Sequence, residues 1–230
     1  GFAKHLARRG WLVDVVTATD PEHIEPCPGV SVHHRTPYPT LDDLYQTVTG
    51  RSGEDRGAGG GGGETASAGS GPRPSALARL GRGLYRIRKT ASELVGFPDT
   101  ARGWILPARS TTRTLLRRHR YRLVVSSGPP HSCHVAATAA VRGQGVPYWV
   151  DMRDPWIGRG AVEDARAGLI QALAARLERW VFATGHLVLT NSAPYAAGLR
   201  DLYPGLSVET IPNGVDVEKL PSGPPPEPYP

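Results

Sequence analysis

Two short apolar runs, each ending in a cluster of polar and turn-forming residues, constrain this chain most. Leu123-Val124-Val125 leads into Ser126-Ser127-Gly128-Pro129-Pro130-His131-Ser132, and Pro147-Tyr148-Trp149-Val150 leads into Asp151-Met152-Arg153-Asp154-Pro155-Trp156. Between them lies a helical stretch, Cys133 to Arg142, closed by Gly143 and Gly145. Short apolar runs bounded by Gly and Pro read as buried strands, so this is a strand–helix–strand unit. Right-handed crossovers bring the carboxyl ends of successive parallel strands to one sheet edge. Ligands bind open α/β sheets at that edge. His131, His134, Asp151, Arg153, Asp154 and Trp156 are therefore expected around a single crevice.

The same alternation runs along most of the chain. A helix over Phe2 to Arg9 precedes a β-branched strand, Trp11 to Ala18, and a weaker strand, Val30 to Thr36. Further on come a helix from Thr100 to Arg120 and one from Glu163 to Thr184, the latter with a core-type stripe of Leu169, Leu173, Leu177, Trp180 and Val181. Strands at Leu187 to Thr190 and Val208 to Ile211 flank a short helix, Pro194 to Tyr203. Strands alternating with helices predict an α/β fold with a doubly wound parallel sheet over residues 1–216.

Residues 41–100 interrupt the pattern. The stretch 50–74, with five consecutive glycines at Gly59 to Gly63, buries too little apolar surface to offset its chain entropy and reads as a flexible loop. No Gly-Lys-Ser/Thr follows those glycines, which argues against a phosphate-binding P-loop. Residues 75–96 place Leu77, Leu80, Leu84 and Ile87 on one helical stripe, with Arg79, Arg82, Arg86 and Lys89 largely elsewhere. Such a basic amphipathic helix either packs on the sheet or lies in a membrane interface, its cations near anionic headgroups. The proline-rich segment 217–230 is expected as an extended linker.

The net charge of +6 comes almost entirely from arginine. Arg113, Arg117, Arg118 and Arg120 sit near the end of a helix, where cations complement the dipole, so no nucleic-acid partner is implied. No apolar run approaches the roughly 18–20 residues a spanning helix needs. The chain opens inside a helix, without Met or a signal peptide, and a cytoplasmic fragment lacking its true start is expected. Cys27 and Cys133 lack ligand spacing and are expected as reduced thiols. His33 and His34 are neighbours on a strand and face opposite sides, so no metal site is indicated. No Gly-x-Ser-x-Gly elbow is present, which argues against a hydrolase triad.

An ordered set of four segments carries a family resemblance. Phe2 to Gly10 with Val13-Asp14-Val15-Val16-Thr17-Ala18, then Ser127 to Ser132, then Asp151 to Trp156, then Ile211-Pro212-Asn213-Gly214-Val215-Asp216 resemble the N-terminal domain of a family-4-like glycosyltransferase of the two-Rossmann-domain (GT-B) architecture, of the bacterial polysaccharide-assembly type. The resemblance implies a nucleotide-sugar donor as co-substrate, no other cofactor, and a retaining hexosyl transfer to a glycan or lipid-linked acceptor. The implied setting is cell-surface polysaccharide or glycolipid synthesis, at a peripheral membrane surface on the inner face of the plasma membrane. It further implies that the first strand with its glycine-rich loop, and the donor-holding C-terminal domain, lie outside this chain, which alone should not turn over. A sugar-nucleotide epimerase of the same architecture, or a non-catalytic module that docks on a membrane or a partner, are the competing readings.

On this reading the N-terminal domain holds the acceptor hydroxyl with short polar groups on rigid strand ends. His131, at a helix start, is expected to bond a sugar hydroxyl or a phosphate oxygen, or else to cap or pack. Asp151 is expected to point into the crevice and to accept or orient the hydroxyl proton. Ser127, Gly128, Pro130, His134, Arg153, Asp154, Trp156, Asn191 and Asn213 complete the expected substrate contacts. Several residues have a structural alternative: Ser126, Ser127 and Ser132 as helix caps, His134 turned into the interface with Tyr148, and Arg153 paired with Asp154. Trp156 alternatively serves as core and Asn213-Gly214 as a tight turn.

Overall fold

The computed structural model describes residues 2–19, 23–38, 97–156 and 168–214. The Gly-rich stretch 50–74, the expected helix over 75–96 with Arg79, Arg82, Arg86 and Lys89, and the segment 217–230 lie outside the described residues. The elements are α1 (Phe2–Arg8), β1 (Val13–Thr17), β2 (Val30–His34), α2 (Ile105–Arg118, entered through a 3-10 turn at Arg102–Trp104), β3 (Val124–Gly128), α3 (Ser132–Val141), β4 (Tyr148–Met152), α4 (Gly168–Thr184), β5 (Leu187–Thr190), α5 (Ala193–Leu202) and β6 (Val208–Thr210). Parallel sheets flanked by helices make this the Rossmann-like α/β class that the alternation predicts.

The described strands form two hydrogen-bonded sheets. β1 pairs with β2, and β3, β4, β5 and β6 follow one another in that order, every pair parallel. Contacts outside any ladder join the two sheets. The Tyr121 hydroxyl donates to Asp14 Oδ2 at 2.6 Å, Arg35 Nε donates to Thr111 Oγ1 at 2.7 Å, and Tyr38 N–H donates to the Gly103 carbonyl at 2.9 Å. Val16 of β1 packs with Trp104, Ala108 and Ala136, so helices α2 and α3 cover part of both sheets.

The order β3–β4–β5–β6 advances in one direction, and right-handed crossovers then lay α3, α4 and α5 over the same face. The main core forms there from Tyr148, Val150 and Met152 of β4, Val188 of β5, Val181 and Phe182 of α4, and Ala196 and Leu199 of α5. Full burial of such side chains contributes about 1.5–3 kcal/mol each. Helix α3 is built almost wholly from small residues, which lets it lie close against α2. It ends at Gly143, whose φ of 74° is the left-handed conformation a helix stop favours.

Candidate active site at the strand ends

Register places the site. Ser127 lies opposite Asp151 and Gly128 opposite Met152, Met152 lies opposite Thr190, and Thr190 opposite Thr210. The residues that follow, His131, Arg153, Asn191 and Asn213, therefore leave the sheet along one edge.

Asp151 is only 2% exposed, so its carboxylate does not stand open in the crevice as the sequence led us to expect. It accepts from the Ser127 hydroxyl at 2.6 Å and from Arg153 Nε at 3.1 Å. The reason is the in-register pairing of two strand ends, which sets a hydroxyl donor beside it. Arg153 pairs with Asp151, not with Asp154. Its Nη1 also donates to Asn213 Oδ1, its guanidinium lies 5.6 Å from the centre of the Phe2 ring, and its carbonyl accepts from Asn191 Nδ2 at 2.7 Å. Arg153 thus ties the ends of β3, β4, β5 and β6 together. Asp154 is exposed beside it.

His131 stacks on Trp156, with ring centres 4.8 Å apart and planes within 10°. Trp156 also packs against the main core, so it fills both roles considered for it. His131 Nδ1 is sealed without a partner, which leaves Nε2 as the working edge of the ring. Burial holds this imidazole below its usual 6.5, against the opposing pull of Asp99 and Asp154, so it is neutral near pH 7.

His134 does not reach the crevice. It is fully buried, and its Nδ1 shares a hydrogen bond with Ser126 Oγ at 2.7 Å, while Ser126 Oγ also bonds the Tyr148 hydroxyl at 2.7 Å. Burial, with His131 nearby, pushes His134 down to about 3. Its Nε2, without a partner, lies against Gly128, where a Cβ would come within 2.7 Å of it. Gly128–Pro129 and Pro129–Pro130 are both cis. Burial of the Cys133 thiol beside these residues pushes it up to about 12.

Ser132 is not a cap. The capping group at the start of α3 is Asp99, a residue the sequence did not single out. Its Oδ2 accepts from Ser132 N–H at 2.7 Å and its Oδ1 from the Ser132 hydroxyl at 2.6 Å. The signal was ambiguous, because an Asp just before Thr100 reads as the cap of its own helix. It does serve that turn too, accepting from Ala101 N–H at 2.9 Å.

Parallel strands flanked by helices, with His131, Trp156 and Asp151 gathered at their carboxyl edge, make a Rossmann-like α/β domain. The chain belongs to the glycosyl transferase 4-like domain family, which it matches over residues 1–214. It is thus a glycosyltransferase domain. No curated protein and no solved structure gives a match. Among the described residues, no helix is long and apolar enough to cross a membrane.

Proposed function

We propose that this domain forms the acceptor wall of a retaining hexosyltransferase acting in cell-surface polysaccharide or glycolipid synthesis. It presents a glycan or lipid-linked acceptor to a nucleotide-sugar donor. In this reading the donor is held by the second Rossmann-like domain of the GT-B architecture, and this chain alone does not turn over. The observation that carries the reading is His131 stacked on Trp156 at the carboxyl edge of β3, beside the hydrogen-bonded end of β4.

An acceptor hydroxyl bonded to His131 Nε2 is held at a fixed height above the strand ends. Stacking on Trp156 limits how far the ring can turn. As the hydroxyl oxygen bonds the anomeric carbon and the nucleotide leaves, its proton passes to the imidazole, which is neutral and able to take it. Asp151 acts as a positioning residue: it fixes Ser127 and Arg153, and through Arg153 the segment at Asn213.

Calorimetry with UDP- and GDP-sugars, run beside a transfer assay, tests this on the full open reading frame, with both Rossmann-like domains present. His131→Ala is expected to lower kcat by about 10²-fold or more with donor affinity retained. Wild-type transfer rates in His131→Ala would remove His131 from the mechanism. Absence of any nucleotide-sugar binding would leave only the fold.

A further inference from the structure

Two neighbouring imidazoles beside the crevice each bury a ring nitrogen that nothing bonds. His131 Nδ1 and His134 Nε2 are sealed from solvent, and neither has a hydrogen-bond partner among the described residues. The ring centres lie 6.0 Å apart, with planes tilted by 32°. Buried polar groups are nearly always paired, so two such atoms on adjacent rings call for a cause.

The bonds around His134 set the direction of its protons. A neutral imidazole donates from one nitrogen and accepts at the other, and the bond made at one decides the state of the other. His134 Nδ1 lies 2.7 Å from Ser126 Oγ, which lies 2.7 Å from the Tyr148 hydroxyl, and that hydroxyl donates to the His134 carbonyl at 3.4 Å. With the Tyr148 proton directed at the carbonyl, Ser126 donates to Tyr148, and His134 Nδ1–H donates to Ser126. Every bond is then made, and His134 Nε2 carries a bare lone pair. The opposite direction gives up the carbonyl bond and buries an N–H at Nε2 with no acceptor, which is costly. Gly128 leaves that lone pair uncovered, since a Cβ there would stand 2.7 Å from Nε2.

We propose that His134 is a positioning residue for His131: its bare Nε2 draws the His131 proton to Nδ1, so that His131 presents an unprotonated Nε2 to the hydroxyl of the sugar acceptor. The inference rests on the acceptor-wall reading above and names what prepares its base. Bonds of this kind are often long in the free enzyme and tighten in the complex. During transfer the hydroxyl proton moves to His131 Nε2, the Nδ1 proton stays on His131, and the electron pair of the broken sugar–phosphate bond leaves with the nucleotide. His134 keeps its lone pair throughout, because burial holds it neutral down to about 3.

The test uses the full open reading frame with isotope-labelled histidine, where nitrogen NMR reads which ring nitrogen bears the proton. In wild type near neutral pH, His131 and His134 are each expected to carry it on Nδ1. His134→Phe keeps a ring but removes the lone pair. His131 is then expected to shift toward the Nε2–H form, and kcat for sugar transfer to fall about tenfold or more with nucleotide-sugar affinity retained. A proton on Nε2 of either histidine in wild type overturns the proposal, whether or not the variant folds. A folded His134→Phe with the His131 proton still on Nδ1, or with wild-type kcat, overturns the role of His134 and leaves the acceptor reading in place. A His131→Ala enzyme that transfers at the wild-type rate removes that reading, and this inference with it.

Discussion

Gly128 shows how little room the site leaves at the scale of one residue. A methyl group there would sit 2.7 Å from His134 Nε2, 3.0 Å from the Pro130 carbonyl and 3.1 Å from Cys133 Sγ. Gly128→Ala is therefore expected to cost about 1–3 kcal/mol, read as a lower urea midpoint at unchanged slope. The two neighbouring histidines set a pH dependence. Both are held below 6.5 in the fold, His134 at about 3, so the unfolded chain binds their protons first as pH falls. Stability should then rise with pH across the window from about 3 to 6.5, by at most about 1.4 kcal/mol per pH unit for each histidine. His131→Gln and His134→Gln, compared by urea unfolding at several pH values, should each flatten that slope; an unchanged slope would show that other groups carry it. In the sequence, His131 and Asp151 could be placed at one edge because strand ends are local features. Whether a carboxylate faces solvent or a neighbouring hydroxyl depends on register between strands, and no periodicity reports it.

Among the elements, the strand–helix–strand unit was the most legible part of the chain. Its apolar runs and its glycine stop are written within about thirty residues of one another. The ties between elements were not legible. Asp99 meets Ser132 across 33 positions, Arg35 meets Thr111 across 76, and Tyr121 meets Asp14 across 107. Such pairs follow from packing, which the sequence pattern does not encode. The Asp14 cluster carries its own prediction. Burial works to raise the Asp14 carboxyl, but hydrogen bonds from Tyr121 and from His33, at 2.6 Å, outweigh it and hold the group below 3.8. Its contribution to stability is thus present above 3.8 and lost as pH falls through the lowered value. Tyr121→Phe removes one of these donors and is expected to cost about 0.5–1.5 kcal/mol near neutral pH. The Asp14 carboxyl should move back up in an NMR titration; no movement would mean that the bond does not form in solution.

Across the whole molecule, burial is unequal. β4 and β5 are buried at most positions, whereas no residue of β1 or β2 is fully buried. The expected α/β class with parallel sheets is the one found; that the described strands pair as β1–β2 and as β3 to β6 was not legible, because strand adjacency is a property of the assembled fold. That pairing has a consequence in time as well as in space. Cooperative units open with free energies that follow their buried contacts and shared hydrogen bonds. A pair of strands fastened to its neighbour by a few side chains and a backbone bond should therefore open on its own. In hydrogen–deuterium exchange, amides of β1 and β2 are expected to be replaced well before those of β4 and β5. Equal protection would mean that the two sheets unfold as one. If they do separate, the molecule joins a firm sheet to a breathing pair of strands, and β1 and β2 can move while His131 stays stacked on Trp156 at the edge of the firm one.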